Sequence, residues 1–254
     1  DAEHPNLYTL KISYFENDRL LFEKIKRVGF REVEVQGNKL LVNGMEVKLR
    51  GACRHDIHPL LGRVSTPDYE LMDVQLAKEA NMNFIRTSHY PPTENFLRLC
   101  DEYGLYVESE TAVCFVGSHR TKDYQPGASE SDPEFTDRYL LQLKEMVDAQ
   151  QNHPSIIMWS IGNENNYGVN FKNSYDWVKA NDATRPVLFS YPGNVPENEK
   201  AYDILSMHYP GLTGDMEQHE IKTHAFGYKE MPVIFDEWAH VACYNPFTIK
   251  EDPN

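Results

Sequence analysis

Apolar and polar positions alternate along the first stretch of the chain and then change period. Leu10, Ile12 and Tyr14 share one face of a predicted strand, Glu16-Asn17-Asp18-Arg19 turns the chain, and a second strand covers residues 20–27. Residues 30–35 end this region, which is too small to fold alone and reads as the last strands of a β-sandwich whose first strands precede it. Leu41-Val42-Asn43-Gly44-Met45-Glu46-Val47 then predicts a hairpin, because Asn-Gly takes up the two positive φ angles of a type I′ turn.

From Lys48 the rhythm becomes strand, loop, helix, repeated. A strand is expected at 48–53, followed by a helix opened by Thr66-Pro67-Asp68, with Thr as N-cap, Pro in the first turn and an apolar stripe of Leu71, Val74, Leu76 and Ala77. Strands are expected at 83–88 and 105–108 with a helix at 93–103 between them; a polar loop runs on to Asp132. Then come a helix at 133–151, a strand ending near Glu164, a helix at 169–181, and strands at 187–191, 203–209 and 232–237. These make seven β units after the hairpin, and alternating β and α units indicate an α/β fold with a parallel sheet. Closure into a (β/α)8 TIM barrel needs an eighth unit, expected beyond Asn254. The chain begins at Asp1 without a methionine and ends in a loop-like tail, so it reads as a piece of a longer polypeptide: residues 1–35 from a sandwich, 36–254 from a barrel.

Two apolar runs break off at a carboxylate: Ser155-Ile156-Ile157-Met158-Trp159 feeding Ser160-Ile161-Gly162-Asn163-Glu164, and Val233-Ile234-Phe235-Asp236-Glu237-Trp238. An apolar strand that delivers a Glu at its C-terminal end is how a β/α barrel places an acid or base at its mouth. Two such glutamates are the minimum apparatus for cleaving a glycosidic bond, and a retaining mechanism sets them about 5–5.5 Å apart. One must keep a raised pKa through burial; the other must stay ionised, which calls for donors such as Arg86 or Tyr209. His55, Asp56 and His58 could form a metal cluster, but two His and one Asp in a loop are commoner without metal; neither metal nor cofactor is expected.

Composition narrows the classes. Twelve per cent aromatic residues suit a sugar-stacking cleft and an ordinary core equally. A formal net charge of −14 repels a phosphate backbone, which excludes nucleic acid as a partner. No run of about 20 apolar residues is present to span a membrane as a helix, so a soluble cytoplasmic or periplasmic protein is expected. The cysteines Cys53, Cys100, Cys114 and Cys243 form no CxxC pair and read as free thiols.

Several phrases, in order, carry a family resemblance: Leu49-Arg50-Gly51 through Arg54-His55-Asp56, Ile85-Arg86-Thr87-Ser88-His89-Tyr90-Pro91, Asp101-Glu102-Tyr103-Gly104-Leu105, Asn152-His153-Pro154-Ser155, Gly162-Asn163-Glu164 and Phe235-Asp236-Glu237-Trp238. Together they resemble glycoside hydrolase family 2, the family of β-galactosidases, β-glucuronidases and β-mannosidases. The resemblance implies a retaining exo-β-glycosidase acting on carbohydrate, with Glu164 as acid/base and Glu237 as nucleophile. It makes Asn163 a ligand of the sugar 2-hydroxyl, His55, Asp56, His89 and Trp238 contacts at the barrel mouth, and Tyr209 a partner of the nucleophile. It also identifies residues 1–35 with the end of an immunoglobulin-like sandwich, and leaves homo-oligomerisation to domains outside the chain. Where metal-dependent β-galactosidases of this family carry a Glu-x-His magnesium pair, Cys114 and Val116 stand here. Glu110-Thr111-Ala112 resembles the glucuronidase-like branch, whose acidic substrates would need a cation; Arg54, His119 and Arg120 are the candidates. The resemblance leaves two substrates in play, with a terminal β-galactoside preferred over a β-glucuronide. A carbohydrate-binding barrel without catalysis is the reading from another class.

Overall fold

The computed structural model describes residues 1–117, 129–190, 195–209 and 230–238. The chain opens with an antiparallel hairpin of β1 (Tyr8–Glu16) and β2 (Arg19–Val28). Asn17 and Asp18 both sit at positive φ, 45° and 63°, which is the type I′ geometry that suits strand twist. Leu10, Ile12 and Tyr14 share a face as alternation requires, and that face is exposed. β3 (Val33–Gln36) pairs with β4 (Lys39–Val42), and β4 with β5 (Met45–Glu46) across Asn43-Gly44 at φ 53° and 74°. Alternation alone had grouped β3 with the strands before it. Leu40 and Val42 pack with Phe84, Tyr106, Ile157, Met158 and Ile204, so this small sheet forms a floor beneath the parallel strands.

The parallel strands are β6 (Gly51–Arg54), β7 (Phe84–Thr87), β8 (Tyr106–Glu110), β9 (Ile156–Ser160), β10 (Val187–Leu188), β11 (Leu205–His208) and β12 (Val233–Glu237). β6 to β10 hydrogen-bond in sequence order, a single Leu188–Ile204 bridge continues to β11, and β11 pairs with β12. Among the described residues β6 and β12 are the unpaired edges, as seven of eight barrel strands would be. Ile156, Ile157, Met158 and Trp159 in β9 are fully buried, which is why this strand reads as an unbroken apolar run and not as an alternation.

Among the described residues four helices cover the sheet: α1 (Pro67–Glu79), α2 (Glu94–Tyr103), α3 (Thr136–Gln150, entered through a 3-10 turn at Pro133–Phe135) and α4 (Val169–Asn181). Val74 and Ala77 of α1 are buried, whereas Leu76, expected on the same stripe, is 54% exposed because it falls one step off the inward face. Thr93 caps α2 by accepting from the Phe96 N–H at 3.1 Å. Gly104, at φ 76°, ends α2 with its Cα against the Ala2 carbonyl, where a Cβ would lie 2.2 Å from that oxygen. β6 starts three residues later than expected. Asn83 bonds the Arg50 N–H (2.8 Å) and the Lys48 carbonyl (3.0 Å) through its side chain, so strand-to-strand pairing begins only at Gly51.

Two of the sequence phrases turn out to be scaffold. His153 Nδ1 lies 2.6 Å from Asp101 and Nε2 3.0 Å from Glu94, while Asp101 also accepts the Ser155 N–H at 3.0 Å, fastening α2 to the start of β9. Burial alone would lower the His153 pKa; its bonds to Asp101 and Glu94 outweigh that and raise it. A raised folded-state pKa means stability present in full below the unfolded value of about 6.5 and lost as pH rises through the folded one. His153→Gln is therefore expected to cost about 2 kcal/mol at pH 6 and less at pH 9, read from urea unfolding of both proteins at each pH. No helix among the described residues is long and apolar enough to cross a membrane.

Candidate active site

Six strands deliver polar side chains to one end of the sheet. Arg86 stands in β7, with His89 just beyond it after a cis Ser88–His89 peptide. Glu108 and Glu110 lie in β8, His208 ends β11 with Tyr209 next, and Asp236 and Glu237 end β12. Asn163 and Glu164 follow β9, and His55 follows β6. All are at C-terminal strand ends, where a parallel barrel keeps its chemistry.

Arg86 is the hub. Wholly buried, its guanidinium donates to Glu237 Oε1 (2.6 Å), Glu110 Oε2 (2.6 and 3.0 Å) and Asn163 Oδ1 (2.8 Å). Glu237 also accepts from the Tyr209 hydroxyl, and His89 Nε2 stands 3.7 Å from its Oε1. Burial would raise the Glu237 pKa, but His208 and Arg86 nearby, with the hydrogen bond from Tyr209, hold it below the ordinary carboxylate value. Glu110 is likewise kept ionised against its burial by Arg86 and by His89, whose Nδ1 is 2.7 Å away. Glu108 goes the other way beneath the site: burial, then the charge of Asp236, drives its pKa well up against the pull of Arg86, whose Nε lies 3.3 Å from its Oε1.

Glu164 is 1% exposed, and its Oε1 lies 3.1 Å from His208 Nδ1. One oxygen of Glu164, one of Glu237 and a His208 ring nitrogen all lie within 4.8 Å of one another. Glu164 takes φ 47° and Tyr209 φ 47°, a left-handed backbone that costs bulky residues about 1–3 kcal/mol and is tolerated where function selects it. Gly162 makes the turn: at φ 139°, a Cβ there would meet Asn165 Nδ2 and the Val113 carbonyl, both at 2.6 Å. Gly162→Ala is expected to cost about 2 kcal/mol of stability and to displace Glu164, visible as a lowered Tm together with lost turnover.

The triplet Glu164, His208, Glu237 could hold a cation by distance alone. However, His208 is pushed up to about 10: burial opposes this, and Asp236 and Glu164 overcome it. A cation bound there would have to displace that proton. The Cys114 thiol accepts from Asn163 Nδ2 at 3.4 Å and is pushed up to about 11, chiefly by burial, while the Val116 backbone is engaged, its N–H by Asn165 Oδ1 at 2.7 Å and its carbonyl by the Asn166 N–H at 3.0 Å. A thiol and an isopropyl group do not fit magnesium, which takes oxygen ligands.

Of the residues singled out in the sequence, Arg86, His89, Asn163, Glu164, Tyr209 and Glu237 converge. His55 joins them at the cleft wall, its ring edge-on to His89 with centroids 5.4 Å apart, and Trp238 lies 63% exposed on the rim. Asp56 does not join. Its carboxylate pairs with Arg54, and its N–H donates to the Tyr90 hydroxyl at 2.9 Å. Arg54 is consumed as well, by Asp73 (2.8 Å), Asp56, Ser65 (3.1 Å) and the Phe96 ring 4.0 Å below it. His58 caps its own turn, accepting from the Leu60 and Leu61 N–H groups at 3.1 and 3.2 Å. His119, Arg120 and Cys243 lie outside the described residues; Cys53, Cys100 and Cys114 are free thiols. Residue-by-residue reading passed over Glu108, His208 and Asp236, although an acid at alternate positions of a buried strand, and a His or Asp next to a candidate residue, were visible signals. The cleft lined by His55, His89, Asn163, Glu164, Tyr209 and Glu237 has a volume of about 1310 Å³ and continues down between β6 and β12.

Comparison with known proteins identifies the family and the fold. The model of the family described as glycosyl hydrolases family 2, TIM barrel domain, matches residues 33–252. A β-galactosidase of Vibrio vulnificus is 40% identical over 210 residues, 82% of this chain and 20% of its own length, so the chain spans about a fifth of the curated relatives it matches. Among solved structures, a β-galacturonidase of Eisenbergiella tayi bound to galacturonate superposes with a TM-score of 0.76 at 26% identity, over 97% of this chain and 45% of that one. A β-D-glucuronidase from Dictyoglomus thermophilum shares the fold with a TM-score of 0.79 at 22% identity, over 97% and 46%.

Proposed function

Because this chain belongs to glycosyl hydrolases family 2, as the TIM-barrel domain of that family, we propose that the protein carrying it is a retaining exo-β-glycosidase releasing terminal β-galactosyl groups. The observation that carries the reading is the pair Glu164 and Glu237, delivered by different strands to within 4.8 Å and set in unlike surroundings. Glu237, held ionised by Arg86 and Tyr209, attacks the anomeric carbon and forms a glycosyl ester. Glu164 protonates the departing oxygen, then draws a proton from the water that cleaves the ester. Once Glu237 is esterified its negative charge is gone, which eases ionisation of Glu164 for the second step. Asn163, fixed through Oδ1 by Arg86, is placed to bond the sugar 2-hydroxyl. The β1–β2 hairpin, with its exposed apolar face, is read as the end of an immunoglobulin-like sandwich.

The names of the curated relatives favour galactoside. A second reading, a β-glucuronide or β-galacturonide, is favoured by the uronidase fold neighbours. Of its candidate cations, Arg54 is engaged by Asp56 and Asp73, as Arg86 is by Glu110 and Glu237, while His119 and Arg120 lie outside the described residues. The test is release from nitrophenyl β-galactoside, β-glucuronide and β-mannoside by the full-length protein, with and without EDTA. Galactoside turnover that survives EDTA is expected. Turnover confined to the uronide would replace the substrate, and loss of turnover in EDTA would contradict the misfit of magnesium at Cys114 and Val116.

A further inference from the structure

His208 answers to none of the roles above, yet it is 2% exposed at the centre of the site. Its Nδ1 lies 3.1 Å from Glu164 Oε1 and 3.9 Å from Glu237 Oε2, and its Nε2 3.4 Å from Asp236 Oδ1 and from Ser190 Oγ. Nδ1 thus faces the Glu164 carboxyl, and Nε2 stands between the Asp236 carboxylate and the Ser190 hydroxyl, negative surroundings that favour the doubly protonated ring. Asp236 is itself anchored, accepting from Ser206 Oγ at 2.7 Å. We propose that His208 is a positioning residue for Glu164: bridged between Glu164 and Asp236, it presents an N–H to the acid/base carboxylate and sets the pH range over which that group works. The proposal rests on the assignment of Glu164 made above.

Among the described residues, the titratable and charged groups around the ring are Glu164 after β9, Asp236 and Glu237 from β12, Glu108 from β8 and the Arg86 guanidinium from β7. The negative charge of Asp236, with the Glu164 carboxyl beside Nδ1, outweighs burial and Arg86 and favours the imidazolium. A cation in contact with Glu164 favours its ionised form. This helps Glu164 as the base of the second step and limits it as the acid of the first, which draws the alkaline limb of activity downward.

Removing the charge is expected to move that limb upward. In full-length protein, His208→Gln, and His208→Phe as a second variant lacking any donor, should raise the alkaline limb of kcat/KM by about 1–2 pH units, given the strength of a contact charge pair. The acid limb, set by Glu237, should rise as well, since the charge of His208 is the first of those that hold that carboxylate down. An alkaline limb unchanged in both variants overturns the proposal. A measurement needing no turnover runs beside it: in protein labelled with 13C at histidine rings, assigned by loss of the signal in His208→Gln, the His208 ring should remain imidazolium through pH 8. A neutral ring at pH 7 overturns the proposal even if the variants misfold. If the wild type cleaves no glycoside at all, the functional reading fails separately, and the ring titration still decides the charge of His208.

Discussion

Glu237→Gln is expected to lower kcat by about 10⁴-fold or more, with substrate binding retained. The substitution keeps the side chain's size and its place between Arg86 and Tyr209, but an amide cannot form the glycosyl ester. A loss of this order corresponds to about 5–6 kcal/mol of transition-state stabilisation, the scale expected when covalent catalysis is removed. Steady-state kinetics on nitrophenyl β-galactoside decide it. A variant within tenfold of the wild type would remove Glu237 from the reaction. A wild-type acid limb below the ordinary carboxylate range should accompany this, because the depressed pKa keeps Glu237 ionised as pH falls and activity is lost only on its protonation.

Glu164→Ala carries the second largest effect, and its signature is selectivity. The first step loses its proton donor, so hydrolysis of a glycoside with a poor leaving group should fall by about 10²–10⁴-fold. A dinitrophenyl leaving group needs no proton, so its departure should be nearly unimpaired and the ester should accumulate as a burst. Azide, entering the space the carboxylate vacates, should then restore turnover and yield a β-glycosyl azide. Equal losses for both leaving groups, with no azide product, would deny Glu164 its role.

Much of the fold was legible because it depends on local signals. Asn-Gly turns, the Thr93 cap and the Gly104 stop act over a few residues, and the buried apolar run of β9 is unmistakable in sequence. What was not legible depends on contacts across the chain. The late start of β6 comes from the Asn83 side chain standing in for a ladder bond, which periodicity cannot encode. The diversion of Asp56 depends on Arg54 reaching back from the strand end, so adjacency to His55 misled. Glu164 and Glu237 stood out because each ends an apolar run. Glu108, His208 and Asp236 gain their meaning only where three strands meet, since nothing in their neighbours tells which carboxylates a buried ring will bridge.

The central claim is covalent catalysis on Glu237 with Glu164 as its partner. The most direct measurement is mass spectrometry of the full-length protein after reaction with dinitrophenyl 2-deoxy-2-fluoro-β-galactoside, a substrate whose glycosyl ester forms and then hydrolyses slowly. One fluorosugar per protein is expected, carried on the peptide containing Glu237 and absent from Glu237→Gln. A label on the Glu164 peptide, or α-configured sugar as the first product of a turned-over β-galactoside with no label anywhere, would contradict it.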